Sequence, residues 1–434
     1  MSVDTQVPAP STQPQDSDDE QVLQRIAYRA PIMYAVAALI ALFFLSRTES
    51  GAQTKFQLNS GSSWLSIPTF GIPALATIAG LAILMGIASV LAFVAARARR
   101  RISVWMNVAV GVAFVLSFLT WVGAGKASVI PITSLLAGAL ALSVPLIFGA
   151  MSGVVCERSG VINIAIEGQL LFGAFAAAVA ASQLTSGYAG LVAAPVAGAL
   201  VGALLAWFAV SFRVNQIIVG VVLNTLIIGL TGFFFSTVLA DDKASWNSPP
   251  KLPEIDIPIL SEIPVIGPVL FEQTILVYLM YAVVIALQFM LFRSRWGLRT
   301  RAVGEHPRAA DTVGIKVNVR RVWNTILGGA IAGLGGAFFT VGSGLAFGRE
   351  MSAGQGYIAL AAMILGKWSP KGAVLAALLF GFSKNLGNVI STIGSGVPSE
   401  VLLMLPYLIT IFAVAGFVGR VRPPAAEGTA YTKS

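Results

Sequence analysis

One polar, basic stretch separates two long apolar segments of this chain: Trp296-Gly-Leu-Arg-Thr-Arg-Ala-Val-Gly-Glu-His-Pro-Arg-Ala-Ala-Asp-Thr-Val-Gly-Ile-Lys-Val317. Three glycines and Pro307 punctuate it, and it suits water, whereas its neighbours suit lipid. Because lipid-exposed irregular backbone is not tolerated inside a bilayer, such a stretch is expected between two membrane spans. It therefore indicates the fold class and gives the first candidate functional site.

The composition places the whole chain in the same class. Of its 434 residues, 56% are hydrophobic and 11% are charged, and the mean hydropathy is +0.82. Soluble domains carry about 25% charged residues. We predict an all-α polytopic membrane protein with about 10–12 transmembrane helices and a short cytoplasmic helix. The apolar segments are 31–46, 67–95, 103–123, 132–154, 164–182, 189–212, 215–239, 274–292, 323–345, 354–367, 372–390 and 401–419.

Two details refine this pattern. Segment 354–367 is too short to cross a hydrocarbon core of about 30 Å comfortably, so it is expected to be a half-helix or a re-entrant piece. Small-residue pairs four positions apart are typical of close helix packing in membranes. They occur at Gly149 and Gly153, Gly198 and Gly202, and Gly329 and Gly333.

The distribution of charge predicts the orientation of the spans. Between Arg293 and Arg321 the chain has eight Lys and Arg residues and two acidic ones, whereas loop 241–272 has six acidic residues and two lysines. Because basic loops favour the cytoplasm, both termini are expected inside and the acidic, Pro-rich loop outside, as an ordered but non-helical cap. The net charge of +9 then reflects anchoring to the lipid bilayer, and nucleic-acid binding is not indicated.

Several kinds of chemistry are excluded by missing motifs. No Gly-x-x-x-x-Gly-Lys-Ser/Thr phosphate loop occurs, because Gly366-Lys367 is followed by Trp368. Cys156 and His306 are the only residues of their types, and no hydrolase motif is present. We therefore predict no catalytic residue, no cofactor and no metal site. Transport remains, and the scarcity of intramembrane carboxylates favours an energy source on a partner chain.

The basic stretch is expected to contain one short helix. Pro307 suits the first turn, the helix would run to Val313, and Gly314 would end it. With Arg308 and Asp311 on its exposed face, this helix could dock on a soluble partner. An ordinary cytoplasmic basic loop is an equal alternative from the residues alone.

A second candidate site is Glu157-Arg-Ser-Gly-Val-Ile-Asn-Ile-Ala-Ile-Glu-Gly-Gln-Leu-Leu-Phe-Gly-Ala174, which joins two apolar segments. A buried carboxylate such as Glu167 needs a partner, either Arg158 or backbone N–H groups at a broken helix. A discontinuous helix lining a transport pathway is one interpretation. A structural network joining two helices is the other, and the residues favour it slightly.

Both stretches resemble one family, the ATP-binding-cassette importer permeases of the branched-chain amino acid and simple sugar superfamily. Residues 304–315 resemble the family's coupling-helix region, which contacts the ATPase subunit. The resemblance implies coupling roles for Gly304, Glu305, Pro307, Arg308, Ala309, Ala310, Asp311, Gly314 and Ile315. Residues 157–168 resemble the signature Glu-Arg-x-Gly-x-x-Asn-Ile-x-x-Glu-Gly, which is typical of the nucleoside branch. The Asp-Leu-Ser variant of the sugar branch is missing.

The resemblance covers about 132–419 and implies a division of the chain. Residues 1–28 are expected to form a disordered cytoplasmic tail without a cleavable signal peptide, 29–125 extra transmembrane segments, 126–420 the permease core and 421–434 a cytoplasmic tail. The implied location is the bacterial plasma (inner) membrane, with multiple spans.

The implied function is solute import driven by a separate ABC ATPase subunit. The other implied partners are a second, related permease and an extracellular substrate-binding lipoprotein. Nucleosides are the expected solutes, simple sugars are the alternative, and a secondary carrier without an ATPase is a further one. Candidate pathway residues, each also explained by helix packing, are Asn163, Glu167, Gln169, Asn224 and Phe233.

Overall fold

The computed structural model describes residues 28–58, 64–65, 67–100, 102–393, 404 and 422–433. Nearly all of the predicted N-terminal tail and the last apolar segment, 401–419, lie outside these residues. The other eleven predicted apolar segments all form helices. The helices are α1 (Arg29–Ser46), α2 (Ala74–Arg97), α3 (Val104–Gly123), α4 (Ile132–Glu157), α5 (Ile166–Gln183), α6 (Gly187–Ala206), α7 (Gln216–Phe234), α8 (Lys243–Trp246), α9 (Ile266–Leu270), α10 (Ile275–Arg293), α11 (Arg295–Glu305), α12 (Pro307–Thr312), α13 (Val317–Gly336), α14 (Gln355–Leu365) and α15 (Pro370–Ile393).

Within the described part of the chain, nine helices are long and apolar enough to cross a membrane. They are α1 to α4, α6, α7, α10, α13 and α15, with α6 and α7 extended by π-helical turns and α13 by a 3₁₀ turn. The 18-residue α5 is less apolar, since Glu167 and Gln169 lie in its first turn. These helices confirm the all-α polytopic class.

The tenth predicted segment is a half-helix. The 11 residues of α14 span about 16 Å, roughly half of a hydrocarbon core. Its C-terminal end lies beside the end of α4, because Trp368 Nε1 donates a hydrogen bond to Glu157 Oε2 at 2.5 Å. Upstream of α14, Phe347 exchanges hydrogen bonds with Asn247 of the acidic loop, at the opposite end of the bundle. The chain therefore traverses the bundle as an irregular segment followed by a half-helix.

Backbone contact between glycines brings α6 and α13 together. A Cβ atom on Gly198 would lie 2.2 Å from the Gly329 carbonyl oxygen, and one on Gly329 would lie 2.3 Å from the Gly198 oxygen. A side chain larger than hydrogen cannot fit at either position. The predicted packing role of these glycine pairs is confirmed, and Gly153 similarly admits Met363 of α14 against α4.

The N-terminal helices form a small bundle with its own core. Helices α1, α2 and α3 pack around Tyr34, Met85 and Val110. A three-stranded sheet in the order β2 (Phe70–Pro73), β1 (Gln53–Gln57), β3 (Ile130–Pro131) joins this bundle to the start of α4. Strand β1 pairs antiparallel with β2 and parallel with β3.

The acidic loop lies at one end of α10 and the basic stretch at the other. It is ordered, as predicted, through the antiparallel pair β4 (Glu254–Asp256) and β5 (Glu272–Thr274). The prediction that it is non-helical is wrong, since it contains the short helices α8 and α9. The opposite ends agree with the charge asymmetry, and the cytoplasmic location of both termini stays a prediction.

Candidate functional site

The basic stretch contains the predicted helix at almost the predicted bounds. Helix α12 begins at Pro307 and ends at Thr312, one residue earlier than expected. Gly314 adopts a φ of +84°, a left-handed conformation that glycine reaches without steric cost. This conformation lets the Ile315 N–H reach the Ala310 carbonyl oxygen at 3.0 Å, which ends the helix.

A second helix in this stretch, α11, was missed. The glycines at 297 and 304 indicated breaks, but both lie inside the helix on its buried face, together with Thr300. Their spacing of three and four residues is the helical signal in the sequence. Tertiary contact explains the glycines, because a Cβ atom on Gly304 would lie 2.3 Å from the Arg158 carbonyl oxygen at the end of α4.

Helix α12 has one buried face and one exposed face. Ala310 is buried against Val303, Val317 and Tyr431. The side chains of Arg308, Ala309, Thr312 and Val313 are exposed, and Val313 is 75% exposed. Asp311, predicted on the exposed face, is half-buried and lies beside the Tyr431 hydroxyl. The exposed face is therefore apolar at its centre and carries one cation, Arg308.

The second candidate site surrounds the turn between α4 and α5. Ile166 lies against Gly149 and Gly153, so α5 begins beside the last turns of α4 instead of at its end. This placement brings the Glu167 carboxylate to the start of α14. Ser352 Oγ donates to it at 2.6 Å, and the N–H groups of Gly354 and Gly356 donate at 2.8 and 2.6 Å.

Backbone N–H groups of a half-helix are thus the partner of Glu167, as one of the two predicted alternatives stated. A carboxylate at a helix N-terminus satisfies otherwise unpaired N–H groups and interacts favourably with the helix dipole. Arg158, the other alternative, donates instead to the Trp368 carbonyl oxygen at 2.9 Å. Sequence reasoning missed Ser352 and Gly354 as partners, because they lie 185 and 187 residues from Glu167.

Asn163 and Gln169 form a closed, buried pair. Asn163 Nδ2 donates to Gln169 Oε1 at 3.0 Å, and Gln169 Nε2 donates back to Asn163 Oδ1 at 3.2 Å. Ser152 Oγ of α4 accepts a second hydrogen bond from Asn163 at 3.0 Å. Both amides have no exposed surface. Their geometry fits the structural interpretation of this region better than direct contact with a solute.

Asn224 of α7 joins the same region, whereas Phe233 does not. Asn224 Oδ1 accepts from Gly168 N at 2.8 Å, and its Nδ2 donates to Ile164 O and to Tyr357 Oη at 2.9 and 3.1 Å. Phe233 lies more than two turns further along α7 and is 60% exposed. A pathway role for these residues stays a prediction.

Taken together, the structure is that of a multi-pass membrane protein with a short helix outside the bundle and a half-helix inside it. Residues 135–414 match the model of one family, "Branched-chain amino acid transport system / permease component". The match covers most of the chain, and the chain belongs to this family of ATP-binding-cassette transporter permeases. Members of the family are membrane subunits and not catalytic enzymes or secondary carriers.

Curated relatives support the same assignment. The chain is 40% identical over 314 residues to the guanosine ABC transporter permease protein NupQ of Bacillus subtilis, which covers 68% of this chain and 95% of NupQ. It is 39% identical over 310 residues to the nucleoside ABC transporter permease protein NupC of Lactococcus lactis, covering 69% and 97%. A putative glucose ABC transporter permease of Haloferax volcanii, TsgC13, is 32% identical over 54% of this chain and 71% of its own length. No solved structure gives a significant match.

Proposed function

We propose that this chain is a permease subunit of a nucleoside importer and that α12 is the helix that contacts the ATPase subunit. The observation that carries the coupling role is the form of α12, a short projecting helix with an apolar outer face. Nucleoside transport is supported by the names of NupQ and NupC and by the residues from Glu157 to Gly168. The proposed partners are an ABC ATPase, a second, related permease and an extracellular substrate-binding lipoprotein at the acidic loop.

A continuous series of contacts connects α12 to the interior. Helix α12 follows α11 directly, and Gly304 of α11 touches the backbone at the end of α4. The end of α4 holds the C-terminal end of α14 through Glu157 and Trp368. The N-terminal end of α14 is held by Glu167 of α5. Movement of α12 by an ATPase would therefore be transmitted to both ends of α14. Because α14 has 11 residues, it does not cross the whole hydrocarbon core as the longer helices do.

Coupling of this kind requires different contacts in two states, and α14 is suited to provide them. It is a discontinuous element inside the bundle, and such elements commonly form the solute sites of membrane transporters. In this mechanism Glu167 is a positioning residue for α14, and Asn163 and Gln169 keep the α4–α5 turn in register. A nucleoside is neutral, so its pathway needs uncharged polar groups and aromatic faces, such as the exposed Tyr357 ring beside Asn224.

The coupling role is tested with the double variant Ala309→Asp and Val313→Asp. Two carboxylates on the exposed face of α12 are expected to abolish co-purification with the ATPase and uptake of radiolabelled guanosine, with membrane insertion unchanged. The control is Val104→Asp, a side chain that is 72% exposed at the start of α3 in the N-terminal bundle. Normal co-purification and uptake by the double variant would overturn the coupling assignment.

The solute class is tested by uptake competition in cells that express the complex. Unlabelled adenosine, uridine and cytidine are expected to compete with guanosine, whereas glucose, ribose and leucine are not. Sugar transport is the second candidate, because TsgC13 is named as a putative glucose permease. Competition by glucose without competition by nucleosides would select it.

A further inference from the structure

The C-terminal residues 422–433 are folded against the same end of the bundle as α12, although the sequence predicted only a cytoplasmic tail. Residues 424–431, named here the C-terminal clamp, make a tight turn in which Glu427 N donates to Pro424 O at 3.1 Å. Pro424, Ala426 and Tyr431 are buried within it. A tail with no role would not be expected to bury apolar side chains and hydrogen-bond to α11, to the α4–α5 turn and to α13.

One side of the clamp holds α11 and α12. Ala426 N donates to the Gly304 carbonyl oxygen at 2.9 Å, and Ala425 N donates to Glu305 Oε2 at 3.2 Å. The Tyr431 ring packs in the cluster that buries Ala310, and its hydroxyl lies beside Asp311. The clamp thus touches the inner face of α12 and leaves the outer face free for a partner.

The other side of the clamp holds the transport core. Gly428 N donates to the carbonyl oxygen of Gly160 in the α4–α5 turn at 3.2 Å. Arg321 of α13 is 1% exposed, and its guanidinium donates to the carbonyl oxygens of Ser159, Thr429 and Ala426 at 3.1, 2.6 and 3.4 Å. One buried side chain therefore joins the α4–α5 turn to two positions of the clamp.

A pair of carboxyl groups lies at the same contact. The Glu427 carboxyl of the clamp lies close to the Glu157 carboxyl at the end of α4, and its Oε2 atom is buried without a hydrogen-bond partner among the described residues. Burial raises the pKa of Glu427, because the charged carboxylate loses contact with water. The clamp thus adds a contact to the residue that holds α14 through Trp368.

We propose that the C-terminal clamp transmits movement of α12 to the α4–α5 turn and α13, and so keeps solute movement coupled to ATP hydrolysis. This inference rests on the proposed coupling role of α12. The physical argument is stiffness: α12 has six residues, about 9 Å of helix, and only Ala310 among them is buried. So short a helix is not stable by itself, and it can transmit force only if other elements pack against its inner face.

The test uses the whole complex reconstituted in liposomes, with this chain, its ATPase, the second permease and the binding protein. The first variant ends at Pro423 and lacks the clamp, and the matched control is Thr432→Ala with Lys433→Ala, two exposed positions beyond it. Guanosine uptake and ATP hydrolysis are measured on the same samples. We expect unchanged ATPase co-purification and hydrolysis in the truncated chain, and a fall of about tenfold in guanosine imported per ATP hydrolysed, within the range for couplings between sites. Loss of abundance alone would not change this ratio.

A second variant keeps the full chain and so tests the clamp even if the truncated chain does not fold. Because Cys156 is buried and is the only cysteine in the sequence, Glu305→Cys with Ala425→Cys gives one accessible pair for cross-linking the clamp to α11. We expect the cross-linked complex to import as much guanosine per ATP as the same double variant in its reduced form, since the clamp moves with α12.

Two results would overturn the clamp proposal. They are an unchanged ratio in the truncated chain, or loss of uptake on cross-linking, which would show that the segment must release. If the unmodified complex neither binds an ATPase nor imports guanosine, the proposed function fails instead, so the two failures are distinguishable.

Discussion

Glu167 shows how a single carboxylate joins two discontinuous elements of this permease. Its two oxygens accept three hydrogen bonds from the segment that starts α14, two of them from backbone N–H groups. It is 5% exposed, so water does not compete for these donors. Its own helix, α5, and the helix it caps, α14, both begin inside the bundle, and this side chain fixes their relative position.

We expect Glu167→Gln to lower guanosine uptake strongly and to lower the thermal unfolding temperature of the complex. An amide has one acceptor oxygen, so its NH₂ group would face a backbone N–H. Hydrogen bonds to charged groups contribute about 1.5–3 kcal/mol each, and at least one would be lost. The measurements are uptake in liposomes and thermal unfolding in detergent.

The matched control for this change is Glu254→Gln. Glu254 forms an exposed ion pair with Lys251 at 2.7 Å, and exposed pairs contribute about 0–1 kcal/mol. If Glu167→Gln lowered the thermal unfolding temperature no more than Glu254→Gln, Glu167 would not position α14.

At the scale of elements, the contact between α6 and α13 shows why glycines are spread through the apolar segments. Apolar side chains gain little by leaving lipid for another helix, so close backbone approach has to supply the attraction. The glycines at 198, 202, 329 and 333 provide that approach, and Gly173 of α5 also meets the backbone of Gly333. Three helices of the core therefore meet along one line of small residues.

Replacing Gly329 by leucine is expected to abolish the folded complex. The new side chain would begin 2.3 Å from the Gly198 carbonyl oxygen, and only separation of α6 from α13 can relieve this clash. The readouts are the yield of monodisperse protein in detergent and its thermal unfolding temperature.

Gly229→Leu is the control, because Gly229 lies in α7, another apolar helix, and no atom lies within 4 Å of its Cβ position. Normal yield and stability of Gly329→Leu would show that the two helices do not rely on this contact. If neither variant gave folded protein, the result would show only that leucine is not tolerated in these helices. The conclusion therefore depends on the difference in yield and unfolding temperature between the two variants.

On the scale of the whole molecule, the N-terminal bundle is attached to the permease core at its edge. The family match begins at residue 135, after this bundle. The attachment includes the β1–β3 pairing and a cluster in which Phe56 and Leu119 pack against Leu135 and Leu386. Two hydrogen bonds add to it, from Thr133 Oγ1 to the Leu58 carbonyl oxygen at 2.8 Å and from Trp64 N to the Glu262 carbonyl oxygen of the acidic loop at 3.2 Å. The contacts that hold α12, α14 and Glu167 lie elsewhere.

A chain that starts at residue 126 is therefore expected to keep ATPase co-purification and guanosine uptake, with a lower thermal unfolding temperature. Deletion exposes Leu135 and Leu386, and burial of each such side chain is worth roughly 1.5–3 kcal/mol. Substituting Phe56→Ser in the full chain should lower the unfolding temperature in the same direction. A stable, monodisperse core without uptake would show that the bundle takes part in transport.

The sequence by itself determined the class of the protein, its spans and the local form of α12. Lipid offers no hydrogen bonds to the backbone, so an apolar run of about 20 residues has little choice but to form a helix. Pro307 and Gly314 bound α12 because proline fixes φ and glycine reaches a positive φ, and both effects are local.

Only the tertiary structure decided the partners. Glu167 meets Gly354 across 187 residues, and Arg321 meets Ser159 across 162. Gly304 indicated a helix break in the sequence, but it lies inside α11, where the absence of a side chain allows close contact with the Arg158 backbone. Such pairs depend on which helices pack together and at which depth, and in this chain that is set by the fit of small residues between helices. Hydrophobic pattern carries no information about that fit, because every span is similarly apolar.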